Sequence, residues 1–144
     1  MKYLRTLLVL LASVVLFGVS APRAVALDDV IITEFMAEND NTLEDEDGDD
    51  PDWIELFNSG TNTVNLNGWY LSDALSPNVD NYWRFPAVVL APQGFLVVFA
   101  SSKNRAVSGQ ELHTNFSLSK DGEYLGLVMA NGTTVASDFG PMFP

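Results

Sequence analysis

Seven carboxylates fall within nine consecutive residues, Glu44 to Asp52: Glu44, Asp45, Glu46, Asp47, Asp49, Asp50 and Asp52. No hydrophobic core accepts such a run, because each unpaired buried charge costs too much. The stretch must be a solvated turn, an ion site, or both. Gly48 and Pro51 punctuate it as turn residues. Directly after it, Trp53-Ile54-Glu55-Leu56-Phe57-Asn58 reads as a strand, with Ile54 and Leu56 on one face at period two. A highly charged connection therefore feeds a core strand.

Within this run, Asp45, Asp47, Asp49 and Asp52 lie in eight residues around Gly48. Calcium takes six to eight oxygens, which carboxylates and backbone carbonyls supply. These four aspartates are the candidate calcium ligands. The spacing is not that of an EF-hand. With Asp45 at position one, Gly48 falls at four where the loop needs a glycine at six, and Glu55 falls at eleven where it needs a glutamate at twelve. The expected site is a weak one, and the bland alternative is a bare solvated loop.

Residues 1–26 read as a signal peptide. Lys2 and Arg5 make a short basic region, Leu7 to Val19 is almost wholly apolar, and Ala24-Val25-Ala26 offers a small-x-small cleavage site. The apolar run is short for a membrane span. The mature chain is expected to begin at Leu27, outside the cell or on its surface, with no membrane contact once the leader is cleaved. Cysteine is absent, which excludes disulfides, thiolate metal sites and a thiol nucleophile.

Removal of residues 1–26 leaves 118 residues (144 − 26), the size of one domain with a real core. It also removes three of the seven cations, leaving four against nineteen acids, a formal charge of −15. Nucleic acid and anionic membranes are repelled by such a field. Divalent cations or a basic partner suit it better, and the bland alternative is that the acidity only provides solubility; the expected partner is an unknown protein or surface ligand.

The rest of the chain alternates strand patterns with turn signals. Val30 to Met36 is β-branched and apolar. Val64 to Leu66, Trp69 to Leu71, Phe95 to Ala100, Leu112 to Leu118, Tyr124 to Met129 and Val135 to Phe139 follow, while Tyr82 to Phe85 closes a polar loop opened by Ser76-Pro77-Asn78. Asn67-Gly68, Asp121-Gly122 and Asn131-Gly132 are tight-turn dipeptides. Phe95 to Ala100 is apolar on both faces, as in a central strand. Short strands at this spacing, without a 3.6-residue period, predict an all-β sandwich or barrel. The aromatic residues spread along the strands are expected in the core. Arg84, between Trp83 and Phe85, is expected to pair with a strand carboxylate such as Glu55.

Catalytic signals are weak. His113 is the single histidine, and on a strand pattern it reads as a surface or satisfied residue. No nucleophile elbow, zinc-protease motif or phosphate loop occurs. Asp52 with Glu55 leaves a glycosidase-like acid and base open by composition, although so short a chain has little material for a deep cleft.

Six segments, taken in order, resemble the bacterial branch of the lamin tail domain. They are Ile32-x-Glu34-Phe35-Met36-Ala37, the acidic Asp-Gly-Asp turn, Asp52 to Asn58, Leu66 to Asp73, Trp83-Arg84-Phe85-Pro86, and Gly94 to Phe99. The resemblance covers about residues 29 to 140 and implies an immunoglobulin-like β-sandwich over residues 27–144. Bacterial members are mostly secreted or surface modules, often attached to larger extracellular proteins. No reaction is implied, because fold does not fix function. Where such domains continue into a further strand, this chain has Phe139 to Pro144. That departure reads either as a shorter domain or, as the apolar ending favours, as a domain truncated at its C-terminal end within a longer protein. The expected function is a secreted non-catalytic binding or structural module stabilised by calcium. The alternative is an N-terminal accessory domain of a larger secreted enzyme.

Overall fold

A computed structural model describes residues 30–76 and 78–140. The expected leader and the terminal residues 141–144 lie outside the described residues. Nine strands follow one another among the described residues: β1 (Val30–Met36), β2 (Asp52–Asn58), β3 (Val64–Asn65), β4 (Tyr70–Ser72), β5 (Trp83–Arg84), β6 (Val89–Leu90), β7 (Phe95–Ala100), β8 (Leu125–Val128) and β9 (Val135–Phe139). One 3₁₀ turn, Val79–Asn81, precedes β5.

Alternation of side chains drives the assembly. In β2, Ile54, Leu56 and Asn58 are buried on one face; across the ladder Ile54 opposes Val98 and Leu56 opposes Leu96. On the other side β1 brings Val30 and Ile32 to the same face, with a register shift between Ile32 and Glu34. The order is β1-β2-β7, all antiparallel. The second sheet runs β5-β4-β8-β9, and a small ribbon pairs β3 with β6. β8 is buried at every position, as expected of a strand flanked on both sides. The two sheets share one core built on Ile54, Leu56, Leu71, Trp83, Phe85, Leu125 and Leu127. This is an immunoglobulin-like sandwich, all-β as the sequence predicts.

Asn58, at the end of β2, is a fully buried polar residue. Its Nδ2 donates to the carbonyls of Asn62, Leu90 and Ala91, and its Oδ1 accepts from the Gly60 amide. One side chain thus ties the loop after β2 to the end of β6.

Three expectations change. The stretch Leu112 to Leu118 is not a regular strand. The Phe99 amide donates to the Leu112 carbonyl and the Thr114 amide to the Phe99 carbonyl, each at 2.8 Å, so the segment lines the outer edge of β7. Its ladder then breaks where the Thr114 hydroxyl bonds the Phe116 backbone. Phe95 is not core: it is 60% exposed and stacks on Phe57 with centroids 4.5 Å apart. Only one face of β7 meets the core; at this end the other opens to solvent. Arg84 does not reach Glu55, which belongs to the other sheet. Glu55 accepts from the Thr33 hydroxyl at 2.7 Å. Arg84 is exposed opposite Tyr70 and makes no ion pair among the described residues. Its Nη2 lies 3.1 Å from where a Cβ on Gly68 would stand, and Gly68 has φ +79°. The turn therefore needs glycine for its conformation.

Trp69 is 4% exposed and packs with Leu71 in the shared core, as its place after the turn predicts. Trp69→Ala should cost roughly 3–5 kcal/mol. In a domain of this size the melting temperature should fall by more than about 10 °C. Calorimetry of the purified variant checks this; a fall of only a degree or two would place the ring outside the load carried by the core.

Candidate functional site

The acidic connection between β1 and β2 is an ordered turn. Asn39, largely buried, donates from Nδ2 to the carbonyls of Leu43 and Pro51, and its Oδ1 accepts from the Thr42 amide. Within that frame the Gly48 amide donates to the Asp45 carbonyl, and the Asp45 amide to the Asp49 carbonyl, both at 2.9 Å. Gly48 sits at φ +80°, the left-handed conformation that closes the turn. The amides of Asp47 and Asp49 both donate to Asp45 Oδ1, at 3.0 and 3.1 Å.

Asp45 overturns the expectation that this run stays outside. Its side chain is fully buried. The physical reason is Lys103. Its ammonium bonds Asp45 Oδ2 and lies 2.7 Å from Asp47 Oδ2 and 2.8 Å from Asp49 Oδ2. A buried carboxylate with two amide donors and an ammonium is no longer an unpaired charge. Burial pushes the Asp45 carboxyl up. Hydrogen bonds from Lys103 and from the Asp49 and Asp47 backbone outweigh that and hold it below its ordinary value. Asp47, bonded first by Lys103 and then by Arg105, is held down at about 2. Arg105 makes a second clamp: Nη2 lies 2.6 Å from Asp47 Oδ2 and Nη1 3.0 Å from Glu46 Oε1.

Of the four expected calcium ligands, the structure brings three together. Oxygens of Asp45, Asp47 and Asp49 lie within 4.8 Å of one another, the spacing of a cation cup. Lys103 points into that cup. Asp52 does not join it. It starts β2, half-buried, and its Oδ2 accepts from the Leu118 amide at 3.1 Å. Burial pushes its carboxyl up. Asp52 and Glu55 are three residues apart on one strand, hence on opposite faces, and make no acid–base pair.

His113 differs from its expected role. The ring is fully buried and stacks on Phe99, with centroids 5.3 Å apart. Nδ1 shares a 2.9 Å hydrogen bond with the Ser101 hydroxyl and lies 3.9 Å from Asp45 Oδ2. Nε2 has no hydrogen-bond partner. Burial pushes the imidazole below its ordinary value, against the pull of Asp45, so the ring is neutral at pH 7.

Sequence reasoning missed Lys103, Arg105 and Glu111. A signal for two of them was present. Only four cations follow residue 26, and two of these sit two apart in one loop. Glu111 lies two residues before His113, and its Oε2 accepts from the Glu46 amide at 2.6 Å.

The ionisation pattern fixes the sign of the acid response. Asp45 and Asp47 have depressed values when folded, so their contribution is complete above pH ~4 and fades as pH falls toward 2. Asp52 is raised and acts oppositely, binding its proton more tightly in the folded state. Asp47→Asn should therefore be less stable than the parent at pH 6, and the two should converge near pH 2. Urea titrations at pH 6, 4, 3 and 2 measure this. A difference that stays constant across that range contradicts the assignment.

No curated protein matches the chain. A family model for the lamin tail domain matches residues 23–139, most of the sequence, including both sheets and the acidic turn. With the sandwich and the six ordered segments in place, the chain belongs to the lamin tail domain family.

Proposed function

We propose that this chain is a secreted, non-catalytic module that serves as a binding or structural unit outside the cell, with its acidic turn as a cation-held clasp. The observation that carries the reading is the grip of Lys103 on three aspartates. Acid–base catalysis needs a group that gains or loses a proton near the working pH. Here Asp45 and Asp47 are held ionised by side chains that are themselves held charged. They are committed to fixing the turn against the loop after β7. The basic, apolar and small-x-small features of residues 1–26 support export, and the lack of cysteine makes the fold independent of redox state.

Calcium enters this reading as a competitor of Lys103 for the cup of Asp45, Asp47 and Asp49. The ammonium already occupies the cup and offsets part of its charge, so calcium binding to the parent is weak and shifts stability little. Removing the ammonium uncovers the site. Lys103→Met should lose roughly 2–3 kcal/mol in chelator, toward the low end for a broken pair because Lys103 is a fifth exposed. Calcium at about 2 mM should then return much of that loss. With a dissociation constant near 10⁻⁴ M, the gain is about 1.8 kcal/mol. Magnesium, which keeps its water shell and demands octahedral geometry, should return much less. Thermal melts of parent and variant in calcium, magnesium and chelator measure all three. Identical melts of the variant in every buffer would remove calcium from the account. Mass spectrometry of the exported protein should show a chain starting at Leu27; an intact Met1 in the medium would argue against the leader.

A further inference from the structure

A second group of metal-capable side chains adjoins the aspartate cup and plays no part in it. One ring nitrogen of His113 and carboxylate oxygens of Glu46 and Glu111 lie within 4.8 Å of one another. Three points no further apart than this always share a centre at most about 2.8 Å (4.8/√3) from each. Zinc–nitrogen and zinc–oxygen bonds are about 2.0–2.2 Å long, so the donor set needs to contract by about 0.6–0.8 Å around the ion, mostly at the glutamates. The glutamates are exposed and can make that move; the imidazole is fully buried and fixed by its stacking on Phe99.

Three separate observations bear on what this group is for. His113 is the one buried side chain here that can bind a borderline metal, and its Nε2 has no hydrogen-bond partner. A buried polar nitrogen left unmatched costs stability unless something meets it. Glu111 is already drawn toward Glu46 through the Glu46 amide. Arg105 holds Glu46 by Nη1 and Asp47 by Nη2, so it keeps one partner when Glu46 turns away. We infer that Glu46, Glu111 and His113 form a binding site for a divalent transition ion of the zinc class. The donor set favours that class. Imidazole selects zinc, nickel or copper over calcium and magnesium, which take oxygen alone. One nitrogen and two carboxylate oxygens leave a fourth tetrahedral position for water.

The site is distinct from the aspartate cup, and the two are separable by experiment. Isothermal titration of the full-length mature protein with zinc chloride at pH 7 should show one ion bound with a dissociation constant in the micromolar range. Glu111→Gln and Glu46→Gln, both at exposed positions, should each weaken it at least tenfold. Asp49→Asn, in the cup alone, should leave it within twofold. The imidazole ¹⁵N resonances of His113 should shift on zinc addition, and the nitrogen that moves identifies the ligand atom. Calcium at the same concentration should move neither. The inference is overturned by any of three results: no zinc bound at 100 μM, affinity unchanged in Glu111→Gln, or zinc affinity lost in Asp49→Asn with the imidazole signals unmoved. His113→Gln is a weaker test because the ring fills core space, and the two glutamate variants stand in for it.

Discussion

The ammonium of Lys103 lets a carboxylate enter the protein interior. Asp45 is buried because a cation from a distant loop arrives at the same point as two backbone amides. Without that cation, three aspartates within five residues would repel one another and the turn would open into water. With it, the connection from β1 to β2 is anchored to the loop that follows β7, and Arg105 adds a second tie two residues on. The negative charge of the chain is thus unevenly spent. Around Lys103 it is structural, as it is where Asp52 and Glu123 accept from the Leu118 and Ser119 amides; much of the rest faces solvent. An exposed ion pair such as Lys120 with Glu38, both about two-thirds exposed at 3.4 Å, contributes little by comparison.

Beneath the clasp, the sandwich relies on ordinary means. Alternating apolar residues from both sheets fill one core, and Trp83 meets Phe85 edge to face at 4.8 Å. Where loops cross the ends of the sheets, buried amides do what ladders cannot. At one end Asn58 ties the loop after β2 to the end of β6, and at the other Asn39 frames the acidic turn. Both are short side chains with donor and acceptor on one planar group, which suits them to bind a carbonyl and an amide at once.

Local pattern made much of this fold legible. The strands Val30–Met36, Phe95–Ala100 and Val135–Phe139 coincide with the stretches that period and turn chemistry mark out, and Trp69 is buried as its place after Asn67-Gly68 predicts. What pattern could not supply were partners distant in sequence. Lys103 and Asp45 are 58 residues apart, and nothing near either one names the other. The burial of Asp45 therefore looked forbidden, since the rule against buried charge holds only for unpaired charge. The pairing of Arg84 with Glu55 failed for the same reason in reverse: two residues of opposite sign were read as neighbours, but the topology puts them in different sheets. Phe95 was misread because apolar character on both faces of β7 does not reveal which end of a strand the neighbouring segments leave uncovered.

β9 is the last strand of the described chain, yet it is needed beside the first. The Ile32 amide in β1 donates to the Ser137 hydroxyl in β9, and Phe35 meets Phe139 edge to face at 5.1 Å. The hydrogen bond closes a loop of 105 residues. Contacts of such separation come late, because the entropy of closing the loop precedes any reward for closing it. A chain emerging from its N-terminus presents β1 and β2 long before β9 is there to cover them. The nascent domain would therefore carry an unfinished seam until nearly its whole length had emerged. During that interval β1, with Ile31 already exposed at one end, is the segment that most needs shielding from other chains.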